Sequence, residues 1–291
     1  MASSPKTSTI GNSATNSHTH TEDDSPSDTA TIVAPLGLHT HTVIFLHGRE
    51  DFGEDLAQYF FDSRASDGNS LAEIFPSIRW VFPTANLRYS AQRDFKFSKS
   101  SFAEVLKGEE VISQWFDVWD IKVPDSKQEL MLPGLQESIQ HINNIIQEEA
   151  NTVPLGKIIL GGISQGRGGF IGLSSWLPFQ SIIEAIPPGK NRISPHIQDI
   201  LQMSRDKNTT EVILSASEGV CQQSAGKTPV FLAHSWDVET VPFTHGQGLH
   251  QSIKNLGFDV TWKEYRDGGH WIHSKHGVDD ISAFLHKIIN I

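Results

Sequence analysis

Residues 157–169 read KIILGGISQGRGG, and no other stretch restricts the fold as tightly. Ile158, Ile159 and Leu160 make a short apolar, mostly β-branched run, the signature of a buried strand. The run passes directly into Gly161-Gly162-Ile163-Ser164-Gln165-Gly166, which contains the pattern G-x-S-x-G. Glycines on both sides of the serine let the main chain turn sharply after a strand. The turn lifts the hydroxyl clear of the sheet and leaves the next amide to bind an oxyanion. Ser164 is therefore the candidate nucleophile, and the N–H of Gln165 a candidate oxyanion donor.

A chain of 291 residues with 37% hydrophobic content can bury one large α/β core as a single domain. Its net charge of −11 is spread without a basic patch, so nucleic acid and anionic membrane surfaces are not expected as partners. No run of about eighteen apolar residues occurs, and stable membrane insertion is not expected. Cys221 is the only cysteine and has no intramolecular disulfide partner, while residues 1–31 lack the apolar centre of a signal peptide. A cytoplasmic protein is expected. Residues 1–35 read as a polar tail too poor in large apolar side chains to repay the entropy of ordering. His18 and His20 within it lack companion ligands, so no metal site is expected there.

Residues 42–46 predict a strand that runs into His47-Gly48-Arg49, followed by an amphipathic stretch at 56–61. A strand ending in His-Gly before a glycine-bearing loop suits the second donor of an oxyanion hole, here the N–H of Arg49. Residues 78–83 predict another strand, stopped by Pro83, with a loop from Ala85. Leu135, Ile139, Ile142, Ile145 and Ile146 recur at helical spacing and lead into the strand before Ser164. Late in the chain, residues 228–234 and 260–265 read as strands and 278–289 as a closing helix. Between the last strand and that helix lies Gly268-Gly269-His270, where a loop can return to the serine, which makes His270 the candidate general base. Residues 179–227 read as a variable insertion at the mouth of the site, and Cys221 within it has no neighbouring base to activate it.

Phe45-Leu46-His47-Gly48, Trp115-Phe116-Asp117, Gly134-Leu135, the Gly162-Ile163-Ser164-Gln165-Gly166 elbow and Ser175-Trp176-Leu177-Pro178 occur in this order. In that order they resemble the phospholipase/carboxylesterase family, which includes the acyl-protein thioesterases. The resemblance covers roughly residues 40–290. It implies an α/β-hydrolase fold, with a central, mostly parallel sheet flanked by helices. It also implies a Ser-Asp-His triad and no metal or organic cofactor. The implied substrates are acyl esters and thioesters, including S-acylated proteins and lysophospholipids. The aromatics of 114–119 read as wall and core rather than as a cofactor box, and Trp115 and Trp176 are the candidate substrate-contacting aromatics. A catalytically silent protein that keeps the hydrolase core, and an acyl-releasing hydrolase of secondary metabolism, are the alternatives.

Two departures from the family pattern stand out. The loop His234-Ser235-Trp236-Asp237-Val238-Glu239-Thr240-Val241-Pro242 places Val238 where the family has its aspartate. Asp237, as the shorter of the two flanking acids, is the candidate to orient His270, with Glu239 as its rival. The second departure is the connection after Ser164, where Phe170 to Ser174 already looks like the next strand. Parallel neighbours need a long crossover. The segment after Gln165 is therefore expected to turn helical or leave the sheet, or else a segment present in relatives, such as a lost exon, is missing here.

Overall fold

The computed structural model describes residues 30–91, 111–166, 170–185 and 228–289. Most of the 179–227 insertion, the polar tail before Ala30, Gly168, Gly169 and Cys221 lie outside the described residues.

A seven-stranded sheet forms the centre. Its strands are β1 (Ala30–Val33), β2 (His41–Leu46), β3 (Ile78–Pro83), β6 (Ile158–Ile163), β7 (Ile171–Leu173), β8 (Pro229–Ser235) and β9 (Asp259–Tyr265). They lie in the order β1-β3-β2-β6-β7-β8-β9. Only β1 runs antiparallel to its neighbour; the other pairings are parallel. β4 (Leu87–Tyr89) and β5 (Val111–Ser113) pair separately as a small antiparallel ribbon, where the sequence predicts only a loop for β4. The described residues start at Ala30, inside the predicted tail, where β1 extends the sheet beside Trp80 to Pro83.

β2 is buried along its whole length, as expected for a strand covered on both faces. Val43 and Phe45 face one layer, with Phe60 of α1 (Gly53–Asp62) and Phe284 of α6 (Gly277–Ile289). Ile44 and Leu46 face the other, with Ile142 and Ile145 of α3 (Met131–Glu149) and with Trp115, Phe116 and Trp176. A third cluster packs Leu249 and Ile253 of α5 (Phe243–Asn255) on Val230 and Leu232. Two short helices, α2 (Leu71–Ile74) and α4 (Gln180–Glu184), complete the described helices of α type.

The connection after Ser164 corrects an expectation. Ile171 to Leu173 neither turns helical nor leaves the sheet; it pairs in parallel with Gly161 to Ile163 and with Phe231 to Ala233. The reason is how little the strand asks of its connection. β7 pairs only with the end of β6, with Ile171 opposite Gly161. From Ile163 the chain must therefore move back two residues and across one strand spacing, about 8 Å in all. Residues 164–170 can span that distance. The long-crossover rule describes strands that run the depth of a sheet with a helix laid over it, and the only helix described directly after Ile163 is the 3₁₀ turn Ser164–Gly166.

Candidate active site

Ser164 opens that 3₁₀ turn with φ of +57° and is buried. A left-handed non-glycine residue costs about 1–2 kcal/mol, so the surrounding packing must hold it there. The flanking glycines are explained by close approach. A Cβ on Gly162 would stand 1.5 Å from the Gly166 carbonyl oxygen, and one on Gly166 would stand 2.1 Å from that of His47.

The loop after β2 comes up beside the serine. A Cβ on Gly48 would lie 3.4 Å from Ser164 Cβ and 3.8 Å from its Oγ. Arg49, the next residue, sends its guanidinium away to the β4–β5 ribbon, where Nε donates to Gln114 Oε1 at 3.2 Å and Nη2 to Ser90 Oγ at 2.5 Å. Gln165 fixes the opposite wall. Its Oε1 accepts the Trp115 N–H at 2.9 Å and its Nε2 donates to the Phe116 carbonyl at 2.7 Å. Ser138 of α3 donates to the Trp115 carbonyl at 2.5 Å, and a Cβ on Gly134 would stand 2.6 Å from Phe116 Cα. The glycine that opens α3 is thus what lets the helix close on this loop.

Trp115 and Trp176 are 3% and 2% exposed, so the two candidate substrate-contacting aromatics are core side chains. The Trp115 indole N–H donates to the His47 carbonyl at 2.9 Å, and Trp176 packs against Phe116 with its ring at 64°. They build the wall behind the serine and support the site from beneath.

The base side differs. β9 lies three strand spacings from β6, about 14 Å, so the loop after β9 must lean back over β8 and β7 to approach Ser164. His270 sits on that loop. Burial pushes its imidazole down to about 4, with nearby His234 adding to the shift. Its Nδ1 is sealed from solvent and has no hydrogen-bond partner. No hydrogen bond among the described residues joins it to Ser164.

Asp237 reaches the loop rather than the ring. Its carboxylate accepts the N–H of Gly269 at 2.9 Å and of Gly268 at 3.2 Å, the two glycines lying at φ +62° and +123°. The expectation that it orients the imidazole directly is replaced by a hold on the main chain just before His270. Val238 is buried in the cluster with Trp176 and Val241, and Glu239 is exposed.

Three histidines not singled out from the sequence take part. His273 accepts the His276 N–H on Nδ1 at 3.2 Å and so donates from Nε2 to Asp267 at 3.1 Å, closing the base loop on itself. His234 donates from Nε2 to the Val241 carbonyl at 3.0 Å, which leaves Nδ1 as a buried acceptor without a partner. His47 is the third. The repeat of histidines at 270, 273 and 276, and the His-Gly dipeptide at 47–48, were the signals available. Among the described residues no cluster of His, Cys, Asp or Glu is placed to hold a metal ion, and no helix is long and apolar enough to cross a membrane.

A serine held in a left-handed turn after the central strand of a mostly parallel, helix-flanked sheet defines an α/β-hydrolase. The sequence profile of the phospholipase/carboxylesterase family matches residues 27–187, more than half of the chain, and the chain belongs to that family. By class it is a serine esterase or thioesterase. Acyl-protein thioesterase 1 of Gibberella zeae is 25% identical over 279 residues, covering 88% of this chain and 95% of that protein. Acyl-protein thioesterase 1 of Yarrowia lipolytica is 26% identical over 264 residues, covering 85% and 90%. Among solved structures, acyl-protein thioesterase 2 of Zea mays shares the fold with a TM-score of 0.60 at 23% identity, over 89% of this chain and 98% of that one.

Proposed function

We propose that this protein hydrolyses acyl esters and thioesters through Ser164, with S-acylated protein cysteines and lysophospholipids as the substrate classes. Ser164 Oγ attacks the acyl carbonyl while His270 takes its proton. The N–H groups of Arg49 and Gln165 hold the resulting oxyanion. Collapse expels the alcohol or thiol, protonated by His270. Water, deprotonated by the same ring, then releases the carboxylic acid and restores the serine.

The observation that carries this reading is the strained, buried Ser164 with Gly48 of the loop after β2 beside it, Arg49 being the next residue on that loop. Asp237 supports it by holding the loop that bears His270. A fluorophosphonate probe should label Ser164, and short p-nitrophenyl esters and an S-palmitoylated peptide should be turned over.

One observation favours a second reading, a catalytically impaired binding protein. The buried Nδ1 of His270 has no acceptor, and an unanchored imidazole has neither a fixed tautomer nor a stabilised cation. Binding of an acylated peptide without labelling or turnover would select that reading.

A further inference from the structure

His47 plays no part in the scheme above, yet its surroundings determine its state completely. It is 0% exposed, and Nε2 accepts the Ala85 N–H at 2.9 Å. The proton must therefore sit on Nδ1, which donates to the carbonyl of Gly48 at 2.5 Å. Burial pushes the ring down to about 4, so it stays neutral and keeps this tautomer near pH 7. The Trp115 ring packs against it at 5.0 Å and the Trp115 indole N–H holds its carbonyl.

The Gly48 carbonyl shares a peptide plane with the Arg49 N–H. In a trans peptide the two point in opposite directions, so holding the oxygen aims the hydrogen. The next peptide is held as well, because the Glu50 N–H donates to the Ser113 carbonyl at 2.8 Å with Glu50 at φ +66°. Between these two anchors stands the Arg49 N–H, one residue from Gly48, on which a Cβ would lie 3.4 Å from Ser164 Cβ.

We infer that His47 is the positioning residue of the oxyanion hole: by capturing the Gly48 carbonyl, its Nδ1–H directs the Arg49 N–H at the oxygen that becomes negative when Ser164 attacks. The inference rests on the reading of Ser164 as nucleophile and of Arg49 as donor. It gives the buried His47 a chemical task, since the histidine sets the plane of the peptide that follows Gly48.

Two substitutions separate positioning from bulk stability. Asparagine can present an amide N–H near the Nδ1 position, whereas glutamine reaches toward Ala85 and offers nothing to Gly48. With p-nitrophenyl butyrate, His47→Gln should lower kcat about 100-fold with KM unchanged, as expected when an oxyanion donor is lost. It should also weaken a boronic acid transition-state analogue by a similar factor. His47→Asn should retain kcat within about tenfold. Equal losses in both variants that follow their melting temperatures would make His47 structural only and overturn the inference. Nitrogen NMR of the unmodified protein tests it without any variant, because a His47 protonated on Nε2 at pH 7 would also overturn it. An unmodified protein inert to fluorophosphonate and ester removes the nucleophile reading and this inference together. An active one with an unimpaired His47→Gln variant removes this inference alone.

Discussion

The two halves of the site are finished to different degrees. On the nucleophile side His47 and Gln165 have their side-chain polar groups engaged; one bond, from His47 to the Gly48 carbonyl, is local, and the other three tie the loop after β2 to the loop at Ala85 and the elbow to Trp115 and Phe116. On the base side two buried imidazole nitrogens, in His234 and His270, have no partner, and Val238 stands where the resemblance leads one to expect an aspartate. Buried polar groups left unpaired cost about 1–3 kcal/mol each. The wall behind the serine carries such groups too, at Trp176 Nε1 and His141 Nε2; what sets the base side apart is that an unpaired nitrogen there belongs to the candidate base itself. The contrast teaches that the serine side and the histidine side of one site can be secured differently on one sheet, because different loops carry them.

Ser164→Ala tests the finished half and should have the largest effect. Loss of the nucleophile should lower ester turnover by at least about 10⁴-fold and abolish fluorophosphonate labelling, with the fold retained by circular dichroism. Turnover that survives would move the chemistry elsewhere. The unfinished half should respond in the opposite direction. Val238→Asp should raise kcat by about 10–100-fold by giving the base side a carboxylate, while lowering the melting temperature because a charge replaces a buried valine. A rate that falls along with stability would show that the carboxylate does not reach His270.

Asp237→Ala should reduce kcat about tenfold by loosening the Gly268–Gly269 main chain, whereas Glu239→Gln should leave it unchanged. Equal small effects would remove Asp237 from any role in placing the base. The pH profile sharpens the same contrast. A general base works deprotonated, and the His270 value is depressed to about 4, so kcat/KM should stay level from neutral pH down toward that value. Val238→Asp should move the acid limb upward, since a nearby carboxylate favours the imidazolium. The smallest expected change is one of stability alone: Ser164→Gly, as inactive as Ser164→Ala, relieves the left-handed strain and should stabilise the protein by about 1 kcal/mol in denaturant titrations.

What could be read from the sequence was what local chemistry writes plainly. The strand and glycine turn at 158–166 announced the elbow, because the glycines are demanded by contacts of the main chain with itself and with His47. The spacing of Ile142 and Ile145 announced α3. Helix α5 was not predicted: it carries Gly246 and Gly248 and a weak apolar pattern. Gly246 is there because a Cβ would stand 2.3 Å from His234 Nδ1, a tertiary reason invisible along the chain. Trp115 was legible as a wall or core aromatic, whereas the burial of Trp176 was not, since it is decided by what the sheet and the loop around Val238 place over it. Asp237 was found for the right neighbourhood but with the wrong target, because one residue of register separates a carboxylate aimed at a ring from one aimed at backbone amides.

The brevity of β7 gives the sheet a waist. Five residue pairs join β2 to β6 and seven join β8 to β9, but β7 offers three to each neighbour. Ser164 and the loop after β2 ride on one side of that waist, and His270 rides on the other. Flexing there would change the gap between nucleophile and base while leaving each half internally rigid. The slowest-exchanging amides should accordingly fall into two blocks, one around β2, β3 and β6 and one around β8 and β9, with β7 exchanging faster than either.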